Sequence, residues 1–197
     1  LTAAWSVSVS GYELSGQIRR SLDHVQSKEL LNLMRHWRDC VDAGQDLPIK
    51  SAIDPGVLAR VGLLPSVWIV EVPEHGAPYY RLTGEQIRSA FGHRVKGCTI
   101  HEVFESPIAQ AIEGRWRRLL KERLFSHTVG DVYSEKGRIF RGERVAVPLA
   151  DHDGTPRFIL GCTLYSHPAP GRLHAALKTY KERESSLAPV SLIREMA

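Results

Sequence analysis

Tyr80 and Trp116 are the side chains whose burial would demand most of their surroundings. Each joins a large apolar ring to one polar tip, an O–H or an N–H, that needs a hydrogen-bond partner once water is excluded. Arg81, beside Tyr80, is the other group with chemistry to offer. In a strand where Tyr80 and Leu82 share one face, Arg81 points to the opposite face with Tyr79, towards a carboxylate such as Glu85 or an anionic ligand. The motifs of catalysis are missing around these residues: the chain has no G-x-S-x-G, H-E-x-x-H, P-loop or G-x-G-x-x-G sequence. No catalytic residue is assigned, and a non-enzymatic role is expected. The nine histidines include no pair at the i, i+4 spacing of a helical metal site, so no metal ligand is assigned. The basic run Arg115, Arg117, Arg118, Lys121 and Arg123 around Trp116 raises nucleic acid as a partner. At about 100° per residue, however, Trp116, Leu119 and Leu120 share one face and leave the arginines as the solvated side of an amphipathic helix. Nucleic acid is therefore not the expected partner.

The elements that must hold these residues are bounded by composition. With 197 residues, 43% of them hydrophobic, the chain can bury one sizeable core. Its 26 basic and 22 acidic residues leave a formal charge of +4 and are interspersed, a pattern that bears on solubility more than on partners. Cys40, Cys98 and Cys162 are too few and too scattered for a disulfide framework and read as reduced thiols. No run of eighteen apolar residues occurs and the opening Leu1 to Trp5 lacks the order of a signal peptide, so a cytoplasmic location with no membrane contact is expected.

Trp5, Val7 and Val9 alternate with serines, as in a strand or pairing arm. From Ser27, which can cap a helix, Leu30, Leu33, Met34, Trp37 and Val41 recur at helical spacing until Gly44. A proline-bearing connector and a short helical turn lead to a strand ending at Val72, whose turn at Glu74 to Gly76 returns a second strand at Tyr79 to Leu82. Short helices follow around Ile87 to Phe91, closed by Gly92, and Ile100 to Phe104. Pro107 opens a longer one with Ile108, Ile112, Trp116, Leu119 and Leu120 on one face. Three strands are then expected, 126–134, 138–149 and 157–167. In the last, Phe158, Leu160, Cys162 and Leu164 face one way and Ile159, Gly161, Thr163 and Tyr165 the other. Residues 171–185 suit a charged helix. Strands and helices are segregated, which makes the class α+β with an antiparallel sheet. The divisions are an N-terminal arm and helix (1–45), a domain (46–167) and a C-terminal helix and tail (168–197).

That order of elements, with Leu47-Pro48 to Ile53-Asp54-Pro55, Leu64-Pro65, Tyr80-Arg81-Leu82-Thr83-Gly84, Phe91-Gly92 with Gly97, and Val147-Pro148-Leu149 before an Asp-rich turn, resembles the PAS-domain family, in particular a bacterial branch of stand-alone domains. The resemblance spans roughly residues 28–166. It implies a five-stranded antiparallel sheet with helices on one face, here preceded by a helical extension, and a cavity between sheet and helices sized for a small molecule. Its lining would be Trp68, Tyr80, Phe91, Phe104, Trp116, Val145, Val147, Cys162 and Leu164, with Arg81 in reach. Haem in such domains is held by a histidine of the insert or sheet edge, which would be His101 or His127. Flavin photochemistry needs an Asn-Cys-Arg-Phe context that the segment Lys96-Gly97-Cys98-Thr99 lacks. No metal, haem or flavin is thus indicated by motif. The implied role is sensory: a ligand is bound and its presence is read by a second copy of the chain or a signalling partner, through the stripe Leu30, Met34, Trp37 and Val41. An interaction module whose cavity is filled by its own side chains is the alternative, and a DNA-binding regulator a further one.

Overall fold

A computed structural model describes residues 22, 25–92, 95–135, 138–166 and 184–196. In chain order the elements are α1 (Lys28–Asp39), α2 (Pro55–Arg60), β1 (Val67–Glu71), β2 (Tyr79–Thr83), α3 (Glu85–Phe91), α4 (Ile100–Val103), α5 (Ser106–Glu122), β3 (Leu124–Glu135), β4 (Arg138–Ala150), β5 (Pro156–Tyr165), β6 (Glu184–Pro189) and α6 (Ser191–Arg194). The six strands form one sheet in the order β2-β1-β5-β4-β3-β6, antiparallel throughout. This is the expected α+β class, with one strand more than the five expected. The extra strand, β6, pairs along β3 from Leu124↔Pro189 to Val129↔Glu184. The helix expected over 171–185 lies outside the described residues as far as position 183, and Glu184 and Ser185 belong to β6. The arm read into Trp5, Val7 and Val9 also lies outside the described residues.

Alternation along the strands separates two cores. One face buries Phe125, Val145, Val147, Leu149, Phe158, Leu160 and Cys162 beneath α1, which contributes Leu30, Leu33, Met34 and Trp37. The other buries Trp68, Val70, Ala146 and Ile159 beneath the helical insert α3 to α5, whose Ile87, Phe91, Ile100, Ala109, Trp116, Leu119 and Leu120 face the sheet. Helices therefore cover both faces, the N-terminal one lying opposite the insert. α1 is held by more than apolar contact. Trp37, fully buried, donates its indole N–H to the carbonyl of Pro148 at 2.7 Å. Ser27 stands at the N-cap but makes no side-chain cap. Glu143, on β4, takes over, its carboxylate accepting the backbone N–H groups of Gln26 (2.8 Å) and Ser27 (3.0 Å) while His127 meets it at 2.8 Å.

The insert is positioned by local chemistry. The Thr99 hydroxyl accepts the Glu102 N–H and the Glu102 carboxylate accepts the Thr99 N–H, a capping box that starts α4. The loop before it pairs with the β2 edge, Gly97 N–H to Tyr80 O at 2.7 Å and Tyr80 N–H to Cys98 O at 3.0 Å. Gly92 closes α3 at φ 70°, the expected left-handed stop. Gly84, the N-cap of α3, serves differently from Gly92. Its φ is an ordinary −69°, and a Cβ there would lie 2.3 Å from the Leu64 carbonyl oxygen, so the glycine permits close backbone approach.

Candidate functional site

Between sheet and insert lies a cluster of aromatic rings. Trp68 is 5.8 Å from Trp116 and 6.4 Å from Tyr80, Tyr80 is 6.1 Å from Trp116 and 6.3 Å from Phe91, and Phe91 is 5.7 Å from Phe104, mostly edge to face. The five aromatic residues expected to share a lining are brought together. Trp68 lies flat across β5 because position 161 has no side chain: a Cβ on Gly161 would sit 2.0 Å from its ring.

The polar groups on this face come from two neighbouring strands. Thr163 on β5, fully buried, uses its hydroxyl oxygen to accept the Trp68 indole N–H (3.1 Å) and the Nε–H of Arg144 on β4 (3.0 Å). The Arg144 guanidinium lies 6.0 Å over the Trp68 ring, a cation–π contact. Tyr80 is 5% exposed and Trp116 6%. Neither the Tyr80 O–H, the Trp116 N–H nor the O–H proton of Thr163 has an acceptor among the described residues. Burial pushes the Tyr80 hydroxyl far above the ordinary tyrosine range, with Arg144 acting in the opposite direction and Tyr165 in the same one. Burial likewise pushes Tyr165, at the half-buried end of β5, up to about 12. Both phenols therefore stay protonated and act as donors near neutral pH.

The remaining expected residues lie elsewhere. Val145, Val147, Cys162 and Leu164 pack on the α1 side, a correction to the expected lining that follows from strand parity. Of the two faces of β5 distinguished in the sequence, the one bearing Gly161, Thr163 and Tyr165 meets the insert, because the bulk of Trp68 requires Gly161. Burial raises the Cys162 thiol to about 12 and leaves it a packing residue. Arg81 points away from the aromatic cluster, as its alternation with Tyr80 implied, yet its carboxylate partner is Glu71 at 3.5 Å, since Glu85 pairs with Arg88. Glu71, with its side chain 6% exposed, is also bound by Arg157 at 2.7 Å.

Leu30, Met34 and Trp37, expected as an interface seam, are fully buried in the chain's own core, with Val41 half-buried against it. They offer no free stripe. His101 pairs with Glu113 and His127 with Glu143, each at 2.8 Å. His36 and Cys40 approach within 3.8 Å, a proximity readable from their four-residue spacing on α1. Among the described residues no three metal-ligating side chains converge. The basic run on α5 is engaged: Arg117 binds Glu113 and the carbonyls of Pro73 and Gly76, Arg118 binds Glu122, and Arg123 binds Asp46. Among the described residues no helix is long and apolar enough to cross a membrane.

A sheet of this kind, with a helical insert on one face, is what a family comparison confirms: the model of a family described as a PAS domain matches residues 25–164. The chain belongs to the PAS-domain family. PAS domains are generally sensory and signalling modules. No curated protein matches the chain. Among solved structures it is similar to the PAS domain of BvgS from Bordetella pertussis, with 19% identity, a TM-score of 0.44, and coverage of 59% of this chain and 88% of that one. It is also similar to a light-oxygen-voltage domain studied with a flavin analogue, with 16% identity, a TM-score of 0.38, and coverage of 64% and 95% respectively.

Two residues central to the insert face, Arg144 and Thr163, were not singled out from the sequence. The signal was present: an arginine next to the valine-rich Val145 to Val147, and a threonine two residues beyond a mid-strand glycine, mark the face of a strand that is not plain core.

Proposed function

We propose that this PAS domain senses a small molecule held between its sheet and helical insert and signals through protein contact, without catalysis. The observation that carries this reading is a set of buried donors without acceptors among the described residues, the Tyr80 O–H, the Thr163 O–H and the Trp116 N–H, on one side of the sheet. A buried donor lacking an acceptor costs about 1–3 kcal/mol, so their gathering on the face where the family keeps its ligands favours an occupant that supplies acceptors.

Strand β4 offers a route out. Arg144 faces the aromatic cluster, and the adjacent Glu143 faces the other way and holds the backbone entering α1. A ligand that draws on Arg144 shifts the strand that carries Glu143, and the segment ahead of α1 is where a partner or second copy would read the change.

A second reading is an interaction module with no ligand, and the ring separations of 5.7–6.4 Å favour it, because the aromatic side chains fill much of the space themselves. Native mass spectrometry of freshly purified protein, set against the denatured mass, separates the two. Extra mass released on unfolding supports the sensor; a mass equal to the bare chain, with no small molecule raising the melting temperature, supports the module.

A further inference from the structure

We infer that the outer edge of β6 is the docking place of the chain's own N-terminal arm, residues 5–10, which adds to the sheet as an antiparallel seventh strand. This goes beyond the sensor reading and does not depend on a ligand.

The two edges of the sheet are finished differently. At and just ahead of β2 the chain covers its own edge: the Gly97 N–H reaches the Tyr80 carbonyl at 2.7 Å, the Tyr80 N–H reaches the Cys98 carbonyl at 3.0 Å, and the Ile100 N–H reaches the Pro78 carbonyl at 2.8 Å. β6, last in the order on the other side, pairs with β3 alone among the described residues. An uncovered edge strand presents a row of backbone donors and acceptors that templates further pairing, and proteins guard such edges with charge, proline or a covering segment. β6 carries such guards at its ends, Glu184 and Pro189, while Ser185, Ser186, Leu187 and Ala188 between them bear no charge. A covering segment is what this edge calls for.

Sequence pattern and reach select the arm. Residues 1–21 lie outside the described residues, and within them Trp5, Val7 and Val9 alternate with Ser6, Ser8 and Ser10, the period of a strand with one apolar side. Residues 5–10 match the length of β6, residues 184–189. The chain that follows the arm ends beside that edge. The Gln26 N–H is bonded to Glu143 on β4 at 2.8 Å, Glu143 stands opposite Val129 on β3, and Val129 stands opposite Glu184, the first residue of β6. The backbone entering α1 is therefore level with the start of β6. A seventh strand lies three strand spacings from β4, about 14 Å, and residues 11–21 cover about 16 Å at helical rise or about 36 Å extended. Leading towards Leu22 from that level, the arm must run opposite to β6, the antiparallel sense of every strand pair in the sheet.

The test is amide hydrogen exchange on the full chain. Amides of residues 5–10 should exchange about tenfold or more slowly than in a free chain. Neighbouring amides in a strand point to opposite edges, so one of Val7→Pro and Ser8→Pro removes an N–H that bonds β6. That variant should return the arm to free-chain rates and quicken amides between Ser185 and Ala188, while the amides of β1 and β5 keep their protection and report an intact fold. Arm amides at free-chain rates in the unaltered protein, or protection that survives both prolines, would overturn the pairing. Arm protection lost without any change in β6 would place the arm elsewhere and overturn it as well. Protection that falls on dilution, with a dimer mass at the higher concentration, would give the edge to the arm of a second copy and overturn the intrachain assignment.

Discussion

The two faces of the sheet solve the same packing problem in different ways. Beneath α1 the core is mainly aliphatic and its polar groups are matched: the Trp37 N–H has the Pro148 carbonyl, and Glu143 answers His127 and two backbone N–H groups. Beneath the insert the core is aromatic, and the Tyr80 O–H, the Thr163 O–H and the Trp116 N–H have no acceptor among the described residues. A face that serves stability has every reason to be closed and satisfied; one that leaves three donors open is suited to receive something.

The contrast can be broken or sharpened by substitution. The largest effect belongs to the α1 side, where Trp37→Ala should cost about 3–5 kcal/mol, through lost burial, a cavity and an orphaned carbonyl. Urea unfolding reads it, and a loss under about 1 kcal/mol would mean that α1 does not belong to the core. Next comes Gly161→Ala, which drives a methyl into Trp68 and should cost about 1–3 kcal/mol. Its mark is local: tryptophan fluorescence shifts as Trp68 leaves its place, and an unchanged spectrum would show that the ring does not lie on β5.

Glu143→Gln should weaken the anchor of α1 by about 1 kcal/mol, since a neutral acceptor replaces a charged one. Hydrogen exchange at the Gln26 and Ser27 amides should quicken while the sheet amides stay protected, and equal protection at both would dissolve the link between β4 and the segment ahead of α1. The smallest effect concerns acid. For Glu71, burial alone raises the pKa, but hydrogen bonds from Tyr79 and Arg157 and the charges of Arg157 and Arg81 outweigh it and hold the carboxyl below its usual value. A depressed folded pKa contributes stability that is full above the unfolded value and is lost as pH falls through the folded one. Arg157→Gln should therefore lower stability near neutral pH slightly and flatten its decline in acid; parallel acid curves for the two proteins would contradict this.

Much of the architecture was legible because period and punctuation agree. Leu30, Leu33, Met34 and Trp37 announce α1, and Gly92 announces the stop of α3 after Phe91, since helical faces and left-handed turns leave strong local traces. β6 was missed because residues 184–189, Glu-Ser-Ser-Leu-Ala-Pro, carry no alternation, and their strand geometry comes from pairing with β3. Half of the site was legible as well. The large aromatics identify themselves, whereas Val145 and Cys162 were placed on the wrong side because both faces of β4 and β5 are apolar enough to be inner faces. Trp68 and Gly161 break that tie only when seen as partners, one bulk fitting one absence across neighbouring strands. The seam read into α1 failed for a related reason: an apolar helical stripe shows that something is covered, and here it is the chain's own sheet.

The most direct test of the contrast is the unfolding free energy of Tyr80→Phe in refolded, ligand-free protein. Removing a hydroxyl that lacks an acceptor should leave stability unchanged or raise it by up to about 1 kcal/mol. A loss of about 1–3 kcal/mol would mean that the hydroxyl is already satisfied and that the insert face is as closed as the other.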